Sequence, residues 1–198
     1  ITTAEHTIAM IFAAARKIPA ANQALQSGIW DKKSFIGMEL FGKKLGIVGV
    51  GNIGSIVSSL AQSLGMKIIA YDPFLSEERA KNLKIDKITN LIDLLSSSDI
   101  VTLHLPKNEN TFNIISSDNI FKMKKGSILI NCARGGLVEE TAVAEAIKKE
   151  HLSAAAFDVF VEEPASDSPL FSLKNVICTP HLGASTVEAQ EKVSFQIA

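Results

Sequence analysis

From Lys43 onward, short apolar runs rich in Val, Ile and Leu alternate with segments whose apolar residues recur at helical spacing. The runs at 45–50, 67–71, 87–88, 100–104, 127–131, 154–158 and 176–179 read as strands, the third being the weakest. Their near-continuous apolarity is what strands covered on both faces require. Between them, 53–64, 77–83, 91–96 and 140–149 read as helices, with a weaker helical signal at 118–122. Gly65 stands where a helix C-cap calls for a left-handed residue. Ahead of the first strand, 4–17 is helical, and Pro19 can end that helix and open the next in its first turn. Thr2, with Glu5 three positions on, has the pattern of a capping box.

Strand and helix alternating in this way predict an α/β fold, a doubly wound parallel sheet of the Rossmann type in three layers, α/β/α, preceded by leading helices. The expected organisation is one nucleotide-binding domain over 1–198, with leading helices at 1–30, a core at 43–184 and the start of a further helix at 185–198. The chain opens without Met and with a helix signal under way, and it stops inside a helical stretch. Both ends are therefore expected to continue into a longer protein.

The sequence GVGNIG at 49–54 follows the first strand and opens a helix, the context that gives GxGxxG physical meaning. Gly49 permits the tight turn, Gly51 a close approach of backbone to a pyrophosphate, and Gly54 close packing of helix on strand. The N–H groups of Asn52 and Ile53 would then face the anion at the helix N-terminus. Asp72, 18 positions after Gly54 at the end of the next strand, lies near the separation of about 20 expected for a carboxylate on the adenosine ribose. It would repel a 2′-phosphate, and Pro73 and Phe74 supply no cation, so the expected cofactor is NAD. The competing reading has the glycines serving packing and Asp72 as a solvated strand-end acid.

Composition narrows the partners. With 20 basic against 21 acidic residues and no basic stripe, nucleic acid is not an expected partner. Lys122, Lys124 and Lys125 read as a solvated helix end. The apolar stretch 8–15 is too short and too closely flanked by charge for a membrane span. Cys132 and Cys178 lie in apolar runs without metal-ligand spacing, so no metal site is expected; they read as reduced core residues in a cytoplasmic protein.

Three polar groups follow late strands, where ligands bind in open α/β sheets. Arg134, in NCARGG at 131–136, sits on a Gly-flanked turn and can pair bidentately with a carboxylate. Alone it would read as a surface ion pair. Glu163, in FDVFVEEP at 157–164, and His181, in TPHLGAST at 179–186, could form a carboxylate–imidazole pair for acid/base work. Alone, His181 would read as structural. His104 competes for that role but is expected to line the cleft through its backbone. His6 and His151 are placed on helical surfaces without chemistry, and Trp30 is expected to pack a loop.

In the order GVGNIG, YDP, HLPKNENT, NCARGGLVEE, FDVFVEEP and TPHLGASTVEAQ, the chain resembles the D-isomer-specific 2-hydroxyacid dehydrogenases over essentially its whole length. The stretch HLGASTVEAQEKV is most similar to the D-3-phosphoglycerate dehydrogenase branch. The resemblance implies a catalytic set in which Arg134 binds the substrate carboxylate, His181 is the acid/base and Glu163, the glutamate directly before Pro, supports it. It also implies cofactor contacts from Asn52 and Ile53 at the pyrophosphate, Asp72 at the ribose, Leu105 beside the adenosine, Cys132 and Ala133 by backbone, and Asp158 at the nicotinamide amide. Gly183 and Ala184 follow His181 in the same cleft. Such enzymes carry a second, substrate-binding domain, absent from this chain, and leading helices between domains and subunits. The resemblance thus implies a 2-hydroxy or 2-keto acid substrate, a homodimer or tetramer through this domain, an exposed apolar face on 4–26, and little turnover by this piece alone. The substrate it implies first is 3-phospho-D-glycerate, in serine biosynthesis; the alternatives are another 2-hydroxyacid dehydrogenase of the family, of the glycerate, lactate or formate type, and a non-enzymatic NAD-sensing module, as in corepressors of the superfamily.

Overall fold

The computed structural model describes residues 1–191. Among them, seven strands form one all-parallel sheet in the order β3-β2-β1-β4-β5-β6-β7. They are β1 (Lys44–Val48), β2 (Lys67–Tyr71), β3 (Asp86–Lys87), β4 (Ile100–Leu103), β5 (Ser127–Asn131), β6 (Leu152–Phe157) and β7 (Val176–Cys178). The helices are α1 (Thr2–Ala15), α2 (Ile18–Gln26), α3 (Asn52–Ser63), α4 (Glu77–Asn82), α5 (Leu91–Ser97) and α6 (Glu140–Lys148), with a 3₁₀ turn at Ile120–Lys122. The chain runs outward from β1 through β2 to β3, then returns to lay β4 on the other side of β1. That reversal makes the crevice above β1 and β4 the topological switch point, where such sheets bind ligands.

The period of two along each strand sorts side chains into two buried layers. Leu45, Ile47, Ile128, Ile130, Ala154 and Ala156 face α1 and α3. Val48, Val101, Leu103, Leu129, Ala155 and Phe157 face α5 and α6. α3 ends as expected, with Gly65 at φ 77° and the Met66 N–H reaching back to the Ala61 carbonyl.

The leading helices divide. α1 buries Ala4, Met10, Ile11, Ala14 and Ala15 over β5 and β6. Burying Met10 and Ile11 alone is worth roughly 3–6 kcal/mol, so this helix is a structural member of the domain. α2 buries no residue, and the exposed apolar side chains Ile18, Leu25, Ile29 and Trp30 cluster on it and just beyond it.

Several expectations are corrected. Thr2 does not cap α1: Ile1 is the N-cap, with its carbonyl accepting from Ala4 and Glu5, and Thr2 is already helical. Trp30 is 76% exposed and packs no loop; Lys32 lies over its ring. His151 has left α6 and bonds the Met123 carbonyl at 2.9 Å. Lys124 pairs with Asp99 at the amino end of the sheet rather than standing free. β1, β4, β6 and β7 stop one or two residues short of their apolar runs. Val50, His104, Asp158 and Thr179 stay at least partly buried, and the last three still donate to the neighbouring strand as the chain turns into the loops at the carboxyl ends, which is why hydrophobicity alone extended the strands. At 186–191 a helical turn begins, with Thr186 Oγ1 capping the Ala189 N–H; the rest of the helix expected there lies outside the described residues.

Candidate active site

The glycine turn is fixed by the protein on two sides and open on the third. A Cβ on Gly49, which has φ 95°, would lie 2.6 Å from the His104 carbonyl oxygen and 2.7 Å from Leu105 Cδ2. A Cβ on Gly54 would run into the Gly49 carbonyl. Gly51 has nothing within 4 Å of its Cβ position and an ordinary φ of -75°, so neither packing nor backbone strain within the protein calls for glycine there. The first intrahelical bond of α3 is Ser55 N–H to the Gly51 carbonyl, leaving the amides of Asn52 and Ile53 directed out of the helix N-terminus. An open glycine beside free helix amides fits a dinucleotide pyrophosphate.

Asp72 braces this turn: Oδ2 accepts the Val50 N–H at 2.7 Å and Oδ1 the Phe74 N–H at 2.8 Å. Each oxygen keeps a second lone pair for a ribose hydroxyl. His104, the competitor for acid/base work, places Nε2 on Thr102 Oγ1 at 3.1 Å. Burial pushes its imidazole down to about 4, so at neutral pH it carries no exchangeable charge.

Across the switch point, His181 Nδ1 meets Glu163 Oε2 at 2.6 Å. His181 sits at φ 55°, a left-handed backbone that costs a β-carbon residue of order 1 kcal/mol and persists where surrounding contacts enforce it. Burial alone would raise the Glu163 carboxyl, but the Phe160 N–H and the His181 ring outweigh it and hold the carboxyl below the ordinary carboxylate range. The pair lies open to solvent, with His181 half exposed. Beside it is a hollow of about 580 Å³ walled by Phe160, Phe171, Pro164 and Cys178.

Arg134 is exposed at the end of β5, its Nη1 donating to the Ala133 carbonyl at 2.6 Å. Its turn is shaped from below by Asn131, whose Oδ1 accepts the Ala133 N–H and whose Nδ2 donates to the Arg134 carbonyl. Gly135 is required: a Cβ there would collide with the Phe160 carbonyl, so the arginine turn lies directly on the loop that carries Glu163.

Asp158 is fully buried. Oδ1 accepts Thr179 Oγ1–H and the Leu182 N–H, Oδ2 accepts the Gly183 N–H, and His6 Nε2 stands 3.2 Å from Oδ1. This network holds the turn bearing His181. It also corrects the placement of His6, which lies on the sheet-facing side of α1 and takes part in the site's supports. Asn131 and Thr179, which shape the two turns, carry no sequence signal that marks them out, and Glu140, which bonds the Val161 N–H and Ser168 Oγ–H of the glutamate loop, carries none either. Helical phase put His6 on a face, but nothing local says that the face looks onto Asp158.

Residues 8–183 match the family described as D-isomer specific 2-hydroxyacid dehydrogenase, NAD binding domain. The chain belongs to that family. D-3-phosphoglycerate dehydrogenase from Archaeoglobus fulgidus is 47% identical over 199 residues, covering all of this chain and 38% of the relative. The enzyme of the same name from Bacillus subtilis is 47% identical over 198 residues, again covering all of this chain and 38% of the relative. The chain thus spans well under half the length of these relatives. Among solved structures, a glyoxylate reductase from Paecilomyes thermophila superposes with a TM-score of 0.90 at 31% identity, over 98% of this chain and 58% of that one.

On this 2-hydroxyacid dehydrogenase domain, the residues expected at the cofactor all lie along the carboxyl ends of the strands. Leu105 packs on Gly49. Cys132 and Ala133 are buried beneath the Arg134 turn. Burial, with the Asp158 charge second, pushes the Cys132 thiol up to about 12, so the thiol stays protonated at neutral pH. Gly183 is buried against Asp158, and Ala184 beside it is exposed. Among the described residues, no cluster of His, Cys, Asp and Glu could hold a metal ion, and no helix is long and apolar enough to cross a membrane.

Proposed function

We propose that the chain is the cofactor-binding part of an NAD-dependent oxidoreductase acting between C2 of a D-2-hydroxy acid and NAD, with 3-phospho-D-glycerate as the first candidate substrate. The observation that carries this reading is the His181–Glu163 pair at 2.6 Å, set on the same sheet edge as an open glycine turn. Bound NAD supplies the hydride acceptor at C4 of its nicotinamide. With Nδ1 protonated toward Glu163, His181 presents Nε2 as the base that takes the hydroxyl proton. Glu163 fixes that tautomer and balances the imidazolium formed. Arg134, exposed and holding only a neighbouring carbonyl, is free to swing onto the substrate carboxylate and polarise the forming carbonyl.

Cofactor contacts are assigned to Gly49, Gly51, Asn52, Ile53, Gly54, Asp72, Leu105, Cys132, Ala133, Arg134, Asp158, His181, Gly183 and Ala184. The Asp72 carboxylate favours NAD by repelling a 2′-phosphate. The names of the curated relatives support the phosphoglycerate substrate, whereas the glyoxylate reductase superposition supports a smaller hydroxy acid on the same chemistry. The exposed apolar side chains on and after α2 support a homodimer or tetramer. Arg134→Ala separates the roles. In the full-length enzyme, hydroxy-acid kcat/KM is expected to fall by about a thousandfold, which is ~4 kcal/mol of transition-state binding, with NADH affinity nearly intact. Equal loss of NADH affinity contradicts the assignment.

A further inference from the structure

The acid/base pair is only as well placed as the loop that carries Glu163, and that loop is held by a side chain outside the pair. Glu140, the first residue of α6, directs both carboxylate oxygens at it. Oε1 accepts the Val161 N–H at 3.0 Å and Oε2 accepts the Ser168 Oγ–H at 2.6 Å. The two anchor points flank Glu163 on either side in sequence. Within that span Glu163 accepts the N–H of Phe160, the residue just before the first anchor, on Oε1 at 3.0 Å, and its Oε2 meets His181 Nδ1 at 2.6 Å. Ser168 Oγ is itself ordered, accepting the Leu170 N–H at 3.3 Å. On the other side, Gly135 lies against the Phe160–Val161 peptide. One short segment, 134–140, therefore presents Arg134 at one end and grips the acid/base loop at the other.

Bonds to a carboxylate are roughly twice as strong as neutral ones, and two from one side chain fix direction as well as distance. Free of these ties, residues 161–168 would keep the packing of Ala165 and Leu170 on the core but lose the two charge-assisted bonds that fix the loop's direction beside Glu163. We infer that Glu140 is a positioning residue for the His181–Glu163 pair, setting the loop that carries Glu163 in register with Arg134 without touching substrate or cofactor. The inference rests on His181 being the acid/base.

In the full-length enzyme that contains this chain, Glu140→Ala is expected to lower kcat and kcat/KM together by about ten- to a hundredfold, with NADH affinity within about twofold. Glu140→Gln keeps an acceptor for Val161 and a donor for Ser168, and is expected to restore most of the loss. In a Glu163→Gln background, Glu140→Ala should add less than about twofold, because the residue through which it acts is already disabled. An unchanged kcat in Glu140→Ala, or a full multiplicative loss in the Glu163→Gln background, overturns the inference. Ser168→Ala severs one tie only and carries the same test, at about three- to tenfold in kcat, if the Glu140→Ala protein does not fold. The ¹⁵N shifts of the His181 ring in this chain provide a readout independent of turnover. They should show protonated Nδ1 in the wild type and a tautomer mixture in Glu140→Ala; identical ring shifts in the two proteins overturn the inference. If the wild-type enzyme turns over no 2-hydroxy acid, the functional reading falls while the ring shifts still decide the positioning.

Discussion

Gly135→Ala is the sharpest single perturbation of the site, because it adds one methyl group at the contact between the arginine turn and the glutamate loop. The new Cβ would lie 2.9 Å from Val161 N and closer still to the Phe160 carbonyl carbon and oxygen. Ordinary carbon–oxygen contacts need roughly 3.3–3.6 Å, so the two loops must part by more than about 1 Å. Neither can give cheaply: the arginine turn is clamped by Asn131, and the Phe160 peptide is held by Glu163 and by Glu140 through Val161. Overpacking of this kind costs about 1–3 kcal/mol. For a domain of this size that corresponds to a fall in Tm of about 2–12 °C, read by calorimetry on this chain. Parting the loops also separates Arg134 from His181, and a misplacement of about 1 Å costs on the order of a hundredfold in rate. In the full-length enzyme, assayed well below the lowered Tm, kcat/KM for the hydroxy acid should fall by that order while NADH affinity holds. A variant with wild-type Tm and wild-type kcat/KM would mean that the contact between the two loops does not set the site.

Two further predictions concern titration and cofactor choice. The His104 imidazole is held down at about 4 against an unfolded value near 6.5. The native state therefore refuses a proton that the unfolded state takes, so the neutral histidine's contribution is complete above pH ~6.5 and drains away as pH falls to ~4. Its size is at most roughly 3 kcal/mol, and His104→Gln should flatten the pH dependence of unfolding free energy across that window; an identical slope in both proteins rejects it. Asp72→Asn keeps an acceptor for the Val50 N–H but removes the charge facing the ribose. The ratio of NADPH to NADH dissociation constants, measured by fluorescence titration, should fall at least about tenfold. An unchanged ratio would move cofactor discrimination elsewhere.

Much of this was legible in the sequence because the central strands are buried on both faces and Gly49, Gly54 and Gly65 answer to local backbone demands. The helix after GVGNIG, the Gly65 cap and the parallel sheet could be reasoned from 3.6- and 2-residue periods, Gly placement and the alternation of strand with helix. Arg134, Glu163 and His181 stood out as polar residues at strand ends. What stayed illegible were contacts between residues distant in sequence. The meeting of His6 with Asp158 depends on where α1 docks, and nothing local to the 140–149 helix shows that the 159–168 loop folds onto Glu140. The strand ends were overrun for a related reason, since burial in a switch-point loop has the same composition as burial in a ladder. Trp30 was misread because an aromatic beside a glycine normally packs its own loop, and here its face is turned outward.

The most direct test of the account is NAD reduction by the full-length enzyme across a panel of D-2-hydroxy acids, followed by absorbance of the NADH formed. Turnover with NAD is expected, highest on 3-phospho-D-glycerate and lost in His181→Gln. Absence of NADH formation with every acid in the panel, from a protein that still binds NAD and associates in its presence, would contradict it.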